Sequence, residues 1–305
     1  MKKHLISVQS GDWYDESNDD KSMAYAKECG IEALDFNIDH VLEPLKLAEG
    51  VKFPVCDLPL DQFVAHFAPL KEASEKYNIA IGQMHAPFPV FIPGKDDIND
   101  YIHEVLVKII ATCAYVGCPA LVIHPYVRES NYEKAIEYNL AIYRRLIPAA
   151  KKYKVTICLE NLFNSSKECI FTNARDAAAF IDRLNSEAGE DVFGFCFDLG
   201  HANLLRLNVR EFIKTLGKRL TVLHIHDNNG NGDAHLCPYT QTDNWGTKHT
   251  TDWDAFIGGL CDIGYEGTLS FETFKALKFM PRDVEKEALQ LIVAIGRYFR
   301  RRIEE

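Results

Sequence analysis

The sequence predicts a single (β/α)8 TIM barrel that spans residues 1–305, and three observations support this prediction. Eight short runs rich in β-branched and aromatic residues alternate with longer amphipathic runs along the chain. The length of 305 residues is large for one domain, but barrels of this class often reach it as a single unit. Six consecutive strand runs end in side chains that can bind a metal, and a barrel gathers such ends at one mouth.

The predicted strands are mostly apolar on both faces, which is typical of strands covered by helices. In chain order they are LISVQ at 5–9, IEALDF at 31–36, AIGQMH at 80–85, ALVIH at 120–124, VTICLE at 155–160, FGFCFD at 193–198, TVLHIH at 221–226 and TLSFE at 268–272. A doubly wound open sheet is the main alternative, but it usually has fewer strands and a glycine-rich phosphate turn after its first strand. The segment SGDWYDES, which follows the first run here, contains no such turn.

Amphipathic segments between the strands predict the helices of the barrel. Apolar residues recur near helical spacing from Ile98 and again from Tyr132, and a last helix is predicted over 283–301. The seventh connection, from residue 228 to about 251, is a long exception without clear secondary structure. Long connections of this kind in compact domains are usually functional.

The composition excludes several classes of protein. A net charge of −10 repels nucleic acid on average, and no apolar run reaches the about 18 residues that a membrane span needs. The opening segment MKKHLISVQSGDW turns polar too early for a secretion signal. The nine cysteines form no CxxC pair, and several lie in apolar runs such as TICLE and GFCFD, as reduced thiols do. We therefore expect a cytoplasmic protein that binds neither membranes nor nucleic acid.

The C-terminal ends of the predicted strands carry the residues that point to function. From the third strand to the eighth, they are His85, His124, Glu160, Asp198, His224 with His226, and Glu272. His201 lies one turn beyond Asp198, and Asp233 and His235 lie in the long seventh connection, whose glycines allow it to fold back. Because strand ends meet at one mouth of a barrel, these residues are predicted to form a single site.

The residue types in this set indicate a metal centre. Mixed carboxylates and imidazoles suit Zn, Mn, Co or Fe better than Ca, which prefers shells made only of oxygen. Serine or cysteine nucleophile chemistry fits less well, because no serine or thiol falls at a matching strand end.

Six segments carry a resemblance to a known family. QMHAPF, VIHPY, LEN, CFDLGHAN, HIHDNNGNGDAH and SFET resemble, in order and spacing, the xylose isomerase-like barrel superfamily. That superfamily contains the sugar phosphate isomerase/epimerase family and the related endonuclease IV group. The resemblance covers nearly the whole chain, and it implies a metal-dependent isomerase or epimerase that acts on a small sugar or sugar phosphate. It also implies a homodimer, since barrels of this family often dimerise.

The resemblance implies the metal ligands residue by residue. In the epimerase branch, one divalent metal (Zn, Mn, Co or Mg) is held by residues that match Glu160, Asp198, His224 and Glu272. His224 is preferred because the family pattern is His-x-x-Asp, but His226 shares its pleat direction and remains the alternative. The endonuclease IV branch holds three zinc ions with nine ligands, and the remaining counterparts here are His85, His124, His201, Asp233 and His235.

Expected roles follow from the same resemblance. Glu160 and Glu272 would transfer a proton through an enediolate, and His201 would orient the substrate oxygens. The predicted substrate contacts are His85, His124, His226 and the aromatic rings of Trp13, Phe88 and Trp245. The segment PYTQTDNWGTKHTT departs from the family pattern and is expected to shape substrate choice. Two alternatives remain, a multinuclear-zinc endonuclease IV-like phosphodiester or phosphate-ester hydrolase and a non-catalytic sugar-binding barrel.

Overall fold

Parallel pairing joins the strands of the described chain into a barrel. The computed structural model describes residues 4–43, 46–47, 49–163, 170–278 and 280–305. The strands run in the order β7-β6-β5-β4-β3-β2-β1-β8, and a parallel bridge between Ile225 and Phe271 brings the two edges together. The predicted (β/α)8 TIM barrel is confirmed. The strands are β1 (Ile6–Gln9), β2 (Ala33–Asn37), β3 (Ala80–His85), β4 (Ala120–Val122), β5 (Thr156–Glu160), β6 (Phe193–Asp198), β7 (Leu220–His224) and β8 (Leu269–Phe271).

Helices cover the outside of this sheet. In chain order they are α1 (Asp19–Cys29), α2 (Leu60–Ala65), α3 (Ala68–Tyr77), α4 (Asp96–Val116), α5 (Tyr132–Tyr153), α6 (Ala174–Ala188), α7 (Leu199–Leu204), α8 (Val209–Leu216), α9 (Trp253–Ile263), α10 (Phe274–Leu277) and α11 (Arg282–Glu304). The helices predicted from Ile98, from Tyr132 and over 283–301 are confirmed as α4, α5 and α11. In the described ranges, no helix is long and apolar enough to cross a membrane.

Three strands end earlier than predicted. The prediction extends β4 to His124, β7 to His226 and β8 to Glu272, whereas the ladders stop one or two residues before these positions. The backbone nevertheless continues in hydrogen-bonded form, since the N–H of Ile123 donates to the carbonyl of Cys158 at 2.9 Å. These three polar residues therefore lie just beyond the ladder, where their side chains face the mouth.

A small apolar cluster lies inside the barrel beneath that mouth. Its members are Ala120, Val122, Cys158, Cys196 and Val222. The last four each lie two positions before a predicted site residue and hence on the same face of their strands. Six of the eight cysteines in the described residues are buried, as predicted, whereas Cys261 is exposed and Cys169 lies outside those residues. The inner cluster therefore forms an apolar floor for the site.

The long connection between β7 and α9 folds back on itself. Asp227 and Leu236 form an antiparallel bridge with N–O distances of 2.8 and 3.0 Å. The carboxylate of Asp227 also accepts the hydroxyl of Thr251 at 2.7 Å and two backbone N–H groups of the insertion at 3.2 Å. This bridge returns the segment that carries Asp233 and His235 to the mouth of the barrel.

Candidate active site

A cavity of about 370 Å3 opens at the mouth where the C-terminal strand ends meet. The predicted ligands Asp198 and His224, and His226 as the alternative to His224, have no exposed surface. The structure therefore brings the predicted residues of six strands and of the long connection to one place. Predicted residues that line this central cavity are His85, Phe88, His124, Glu160, His201, Asp233, His235 and Glu272.

Glu160, at the end of β5, lies among four imidazoles. Its Oε1 is 3.3 Å from Nδ1 of His201 and 3.4 Å from Nδ1 of His224. Its Oε2 is 3.2 Å from Nε2 of His124 and 3.7 Å from Nε2 of His85. The residue is 1% exposed, and Oε2 has no hydrogen-bond partner among the described residues. Because a buried carboxylate is costly without a balancing cation, this position suits a metal ligand shared by two groups.

Asp198, His224 and Glu272 form a group beside Glu160. Nδ1 of His224 is 3.6 Å from Oε2 of Glu272 and 3.9 Å from Oδ2 of Asp198. Neither ring nitrogen of the fully buried His224 has a hydrogen-bond partner in the described part of the chain. Oδ1 of Asp198 accepts the backbone N–H of His201 at 2.6 Å and caps α7, which fixes the carboxylate. Converging carboxylates around an unsatisfied imidazole fit a divalent cation.

A third group lies on the long connection. His226, Asp233 and His235 each offer a ligand atom within 4.8 Å of the others. Nε2 of His235 is 2.7 Å from Oδ2 of Asp233, and the ring of His226 stacks on that of His235 at 4.0 Å. Nε2 of His201 approaches the same Asp233 oxygen to 3.7 Å. The folding of the connection thus brings together three residues that lie within one short segment of the sequence.

The two histidines at the end of β7 occupy different groups. His224 faces Glu272, whereas Nε2 of His226 lies 3.1 Å from Oδ2 of Asp198 on the side of the long connection. Gly200 makes room for this ring, since a Cβ at that position would lie 1.9 Å from Cε1 of His226. The geometry favours His224 as the partner of the glutamates.

His85 and His124 form a further group with Glu160. Nδ1 of His85 lies 2.8 Å from the carbonyl oxygen of Ala86, so this nitrogen carries the proton and donates it. Its Nε2 is then free to face Nε2 of His124 at 3.1 Å. The ring of Phe88 stacks on His124 at 5.2 Å and forms one wall of the central cavity.

Electrostatics keeps the glutamates charged. Burial raises the pKa of Glu160 and of Glu272, but the surrounding imidazoles, with His224 foremost, together outweigh burial and lower the pKa of both. Burial lowers the pKa of His235, but the carboxylates of Glu272 and Asp233 together outweigh that effect and raise this pKa to about 10. Without a metal, histidine protons therefore balance the carboxylates. A divalent cation would replace those protons, because metal ligands bind in their deprotonated form.

Sequence comparison decides the family. The profile described as the xylose isomerase-like TIM barrel matches residues 23–295, which contain every strand except β1. The chain belongs to the xylose isomerase-like TIM barrel family. The resemblance carried by the strand-end motifs is thereby confirmed.

Relatives within the xylose isomerase-like family are distant. The uncharacterized protein y4fM of Sinorhizobium fredii (strain NBRC 101917 / NGR234) is 27% identical over 170 residues, which are 56% of this chain and 52% of that protein. The inosose isomerase of Bacillus velezensis (strain DSM 23117 / BGSC 10A6 / LMG 26770 / FZB42) is 25% identical over 194 residues, 62% of this chain and 66% of that enzyme. The chain thus spans about half of the first relative and just under two thirds of the second.

A solved structure shows the same xylose isomerase-like fold. The crystal structure of a D-tagatose 3-epimerase-like protein has a TM-score of 0.68 and 23% sequence identity, and the match covers 96% of this chain and 98% of that one. Its barrel therefore corresponds to this chain over nearly the full length.

Asp35, in the middle of β2, is a site residue that the sequence analysis did not select. It has no exposed surface, and its Oδ2 accepts the amide of Gln83 at 2.9 Å and the hydroxyl of Ser270 at 3.1 Å. The same oxygen lies 3.6 Å from Nε2 of His224, on the side of the ring opposite the glutamates. Burial raises the pKa of Asp35 to about 6. A charged residue inside an apolar strand run was the signal that could have found it.

Two of the three predicted aromatic contacts, Trp13 and Trp245, are not among the residues that line the central cavity. Trp13 is 4% exposed, and its indole N–H donates to the carbonyl of Gln9 at 2.8 Å, so the ring is held in the core. Trp245 is 88% exposed and lies in the insertion of the long connection, away from the residues that line the cavity. Phe88 does line the cavity. The substrate contacts predicted for Trp13 and Trp245 therefore have no support in this geometry.

Proposed function

We propose that this protein is a divalent-metal-dependent isomerase or epimerase of a sugar or sugar phosphate. The observation that supports it best is the pair of buried glutamates, Glu160 and Glu272, which approach the same nitrogen of His224 at 3.4 and 3.6 Å. Glu160 ends β5, which is separated from β7 by β6, and Glu272 follows β8, which lies next to β7 on its other side. A binding barrel has no need of two such carboxylates, whereas proton transfer next to a carbonyl needs one or two.

The residues fit the metal that such a reaction uses. Glu160, Asp198, His224 and Glu272 would hold it, since their atoms converge and several lack hydrogen-bond partners within the described residues. When bound, a Zn, Mn, Co or Mg ion supplies a Lewis acid for the oxygens of the sugar. One ion is expected, and up to three are proposed if the other two groups also bind metal.

Three side chains of this site would transfer the proton and orient the substrate. Glu272 is held by the amide of Gln9, which donates to Oε1 at 2.8 Å and leaves Oε2 for the proton. Glu160 would transfer a proton on the opposite face of the bound sugar. An epimerase needs both glutamates as acid and base, whereas an isomerase can use one of them. Nδ1 of His201 lies 3.0 Å from the carbonyl of Asn161, which orients the ring so that Nε2 can bind substrate oxygens.

The test combines metal analysis with solvent exchange. Protein purified without added metal or chelator is analysed for metal per chain and then incubated in D2O with ketoses, aldoses, inososes and their phosphates. We expect about one divalent metal per chain and deuterium at the carbon next to the carbonyl of the competent sugar. Chelation should abolish the exchange, and Mn, Co, Zn or Mg should restore it. Absence of exchange for every sugar with full metal loading would reject the proposal.

A second candidate is a multinuclear-zinc phosphodiester or phosphate-ester hydrolase. The observation that favours it is the presence of two further groups of possible ligands, His85 with His124 and Glu160, and His226 with Asp233 and His235. Two or three zinc ions per chain, together with hydrolysis of phosphate esters or abasic DNA, would select it. The net charge of −10 weighs against a nucleic-acid substrate. Saturable sugar binding without turnover would instead select a non-catalytic barrel.

We predict that Asp35→Asn weakens metal binding. The carboxylate lies next to Nε2 of His224, and such a partner orients a ligand ring and raises its basicity. The expected loss is about tenfold or more in Mn affinity, measured by calorimetry or electron paramagnetic resonance. The exposed Asp57→Asn is the matched control and should bind as the wild type does. Equal affinities for the two variants would remove Asp35 from this role.

The expected partners follow from the proposed reaction. The substrate is a small sugar, and binding of nucleic acid is not expected. A cytoplasmic location, suggested by the buried thiols, and a homodimer, suggested by the family, remain predictions.

A further inference from the structure

The connections after β1 and β2 form one wall of the central cavity, and this wall carries no predicted metal ligand. We call it the β1–β2 wall and define it by Ser10, Asp12, Asn37 and Asp39. In the closed order of strands, β1 and β2 lie opposite β5 and β6, which end in Glu160 and Asp198. A sugar held at those two residues therefore presents its remaining oxygens to the β1–β2 wall.

Hydrogen bonds to the backbone fix the shape of the β1–β2 wall. Oγ of Ser10 accepts the N–H of Asn37 at 2.9 Å, and Oδ1 of Asn37 accepts the N–H of Asp39 at 2.9 Å. Asp39 is half-buried, and its Oδ1 has no hydrogen-bond partner among the described residues. A carboxylate with unused acceptor capacity gains free energy when a hydroxyl group donates to it. The wall thus holds an acceptor for hydroxyl groups in a fixed position.

Carboxylates outnumber permanent cations around the central cavity. Among the described residues that line it, Lys275 is the one lysine or arginine. A bound divalent cation would offset two of the negative charges and leave the surroundings negative. A phosphate monoester adds a charge of about −1.5 to −2 at pH 7, so its binding here brings like charges together. The carboxylates that line the cavity are Asp12, Asp39, Glu160, Asp233 and Glu272.

The lysine of this lining is already bonded to the protein. Nζ of Lys275 donates to the carbonyl of Asp233 at 2.5 Å and lies 5.5 Å from the centre of the ring of Phe274. Barrels often bind phosphate with the connections after their seventh and eighth strands. Here those connections place Lys275 against Asp233, whose Oδ1 has no hydrogen-bond partner within the described residues. A phosphate group at this position would face that carboxylate and compete with the carbonyl for the lysine.

A hydroxyl group meets neither difficulty. It brings no charge into the cavity, and it can donate a hydrogen bond to a carboxylate. The cavity volume of about 370 Å3 lies near the lower end of the range for small-ligand sites, about 300–1,000 Å3. The space and its charges therefore suit a small molecule that carries many hydroxyl groups.

We propose that the substrate is an unphosphorylated sugar and that Asp39 selects it by accepting one of its hydroxyl groups. This inference rests on the proposed isomerase or epimerase function and deepens it, since that function includes both sugars and sugar phosphates. The free sugar keeps the carbonyl group that proton transfer needs. Asp39 is then a specificity-determining residue on the side of the cavity opposite Glu160. Asp12, exposed at the rim, adds to the negative field that disfavours phosphate esters.

Matched pairs of ligands test the inference without knowledge of the sugar. Ketoses, aldoses and inososes, each paired with its monophosphate ester, are titrated into the metal-loaded protein by calorimetry. For the sugar that binds best, we expect an affinity at least about tenfold higher than that of its ester, because the ester brings like charges together. In Asp39→Asn, which keeps the shape of the side chain and removes its charge, affinity for the free sugar should fall about tenfold. The preference over the ester should then fall to within about threefold of unity.

Two further variants separate the effect of charge from that of hydrogen bonding. Asp12→Lys places a cation at the exposed rim, so it should raise the affinity for phosphate esters by about threefold or more and change that for free sugars less than about twofold. Lys275→Ala should lower the affinity for the esters by no more than about threefold, because its ammonium group is not a phosphate ligand. Asp57→Asn is the matched control, since this exposed residue does not line the cavity, and it should keep the wild-type preference.

Several outcomes would overturn the inference. They are equal or tighter binding of the esters, an unchanged preference in Asp39→Asn, a loss of ester affinity of about tenfold or more in Lys275→Ala, and no binding of any free sugar. Exchange in D2O distinguishes this inference from the proposed reaction. A preference for free sugars without exchange of any sugar would reject the reaction and leave the selectivity of the cavity standing. Faster exchange of phosphate esters than of free sugars would reject the inference and leave the reaction standing.

Discussion

Glu160→Gln is expected to abolish both metal binding and proton transfer. The wild-type carboxylate lies close to the imidazoles of His124, His201 and His224, so its charge is shared by several groups of possible ligands. Loss of that charge should weaken metal affinity by more than about 100-fold. The reason is that removing a ligand lowers metal affinity more than removing a residue that only supports a ligand. The rate of deuterium exchange should fall by at least about 1,000-fold.

The measurement for Glu160→Gln is metal per chain after gel filtration, followed by exchange in D2O at saturating Mn. Glu190→Gln is a matched control, since this exposed residue pairs with Lys151 on the surface at 3.3 Å. It should keep the metal content and rate of the wild type. Wild-type metal content in Glu160→Gln would contradict the ligand role, whatever happens to the rate.

Glu272→Gln is expected to separate the acid–base role from metal binding. The neutral amide oxygen can still face His224, so metal affinity should fall less than in Glu160→Gln. The amide cannot take a proton, and exchange that depends on this face of the sugar should fall by about 100-fold to 10,000-fold.

Offering both epimers of the competent sugar sharpens the test of Glu272. In a two-base epimerase, Glu272→Gln should lose exchange with one epimer, while Glu160 still exchanges the other and inversion stops. In a one-base isomerase that uses Glu272, exchange with both sugars should disappear. Exchange at the wild-type rate with both epimers, at full metal loading, would remove Glu272 from proton transfer.

Most of the barrel could be predicted from the chain alone, for a physical reason. Strands buried on both faces need apolar runs, and the helices that cover them need a period of 3.6 residues, so both leave local patterns. The pattern correctly located all eight strands and the helices α4, α5 and α11. The predicted ends of three strands differ from the observed ends by one or two residues. A ladder ends where the neighbouring strand ends, and no local pattern records that position.

Much of the candidate site was also predictable, since one topological rule brings parallel strand ends together. That rule selected Glu160, Asp198 and Glu272 without knowledge of any distance. It did not select Asp35, because that residue reaches His224 from the middle of β2 across the barrel interior. Contacts across a barrel depend on the tilt and closure of the sheet.

The sequence by itself determined the fold, the mouth on which the polar residues converge and the types of ligand available there. Only the tertiary structure assigned His224 and His226 to different groups, through the space that Gly200 leaves for one ring. It also decided that Trp13 lies in the core and Trp245 on the surface, against expectation. The reason is that secondary structure follows from local periodicity. The direction of a side chain and the path of a long connection depend instead on contacts between residues distant in sequence.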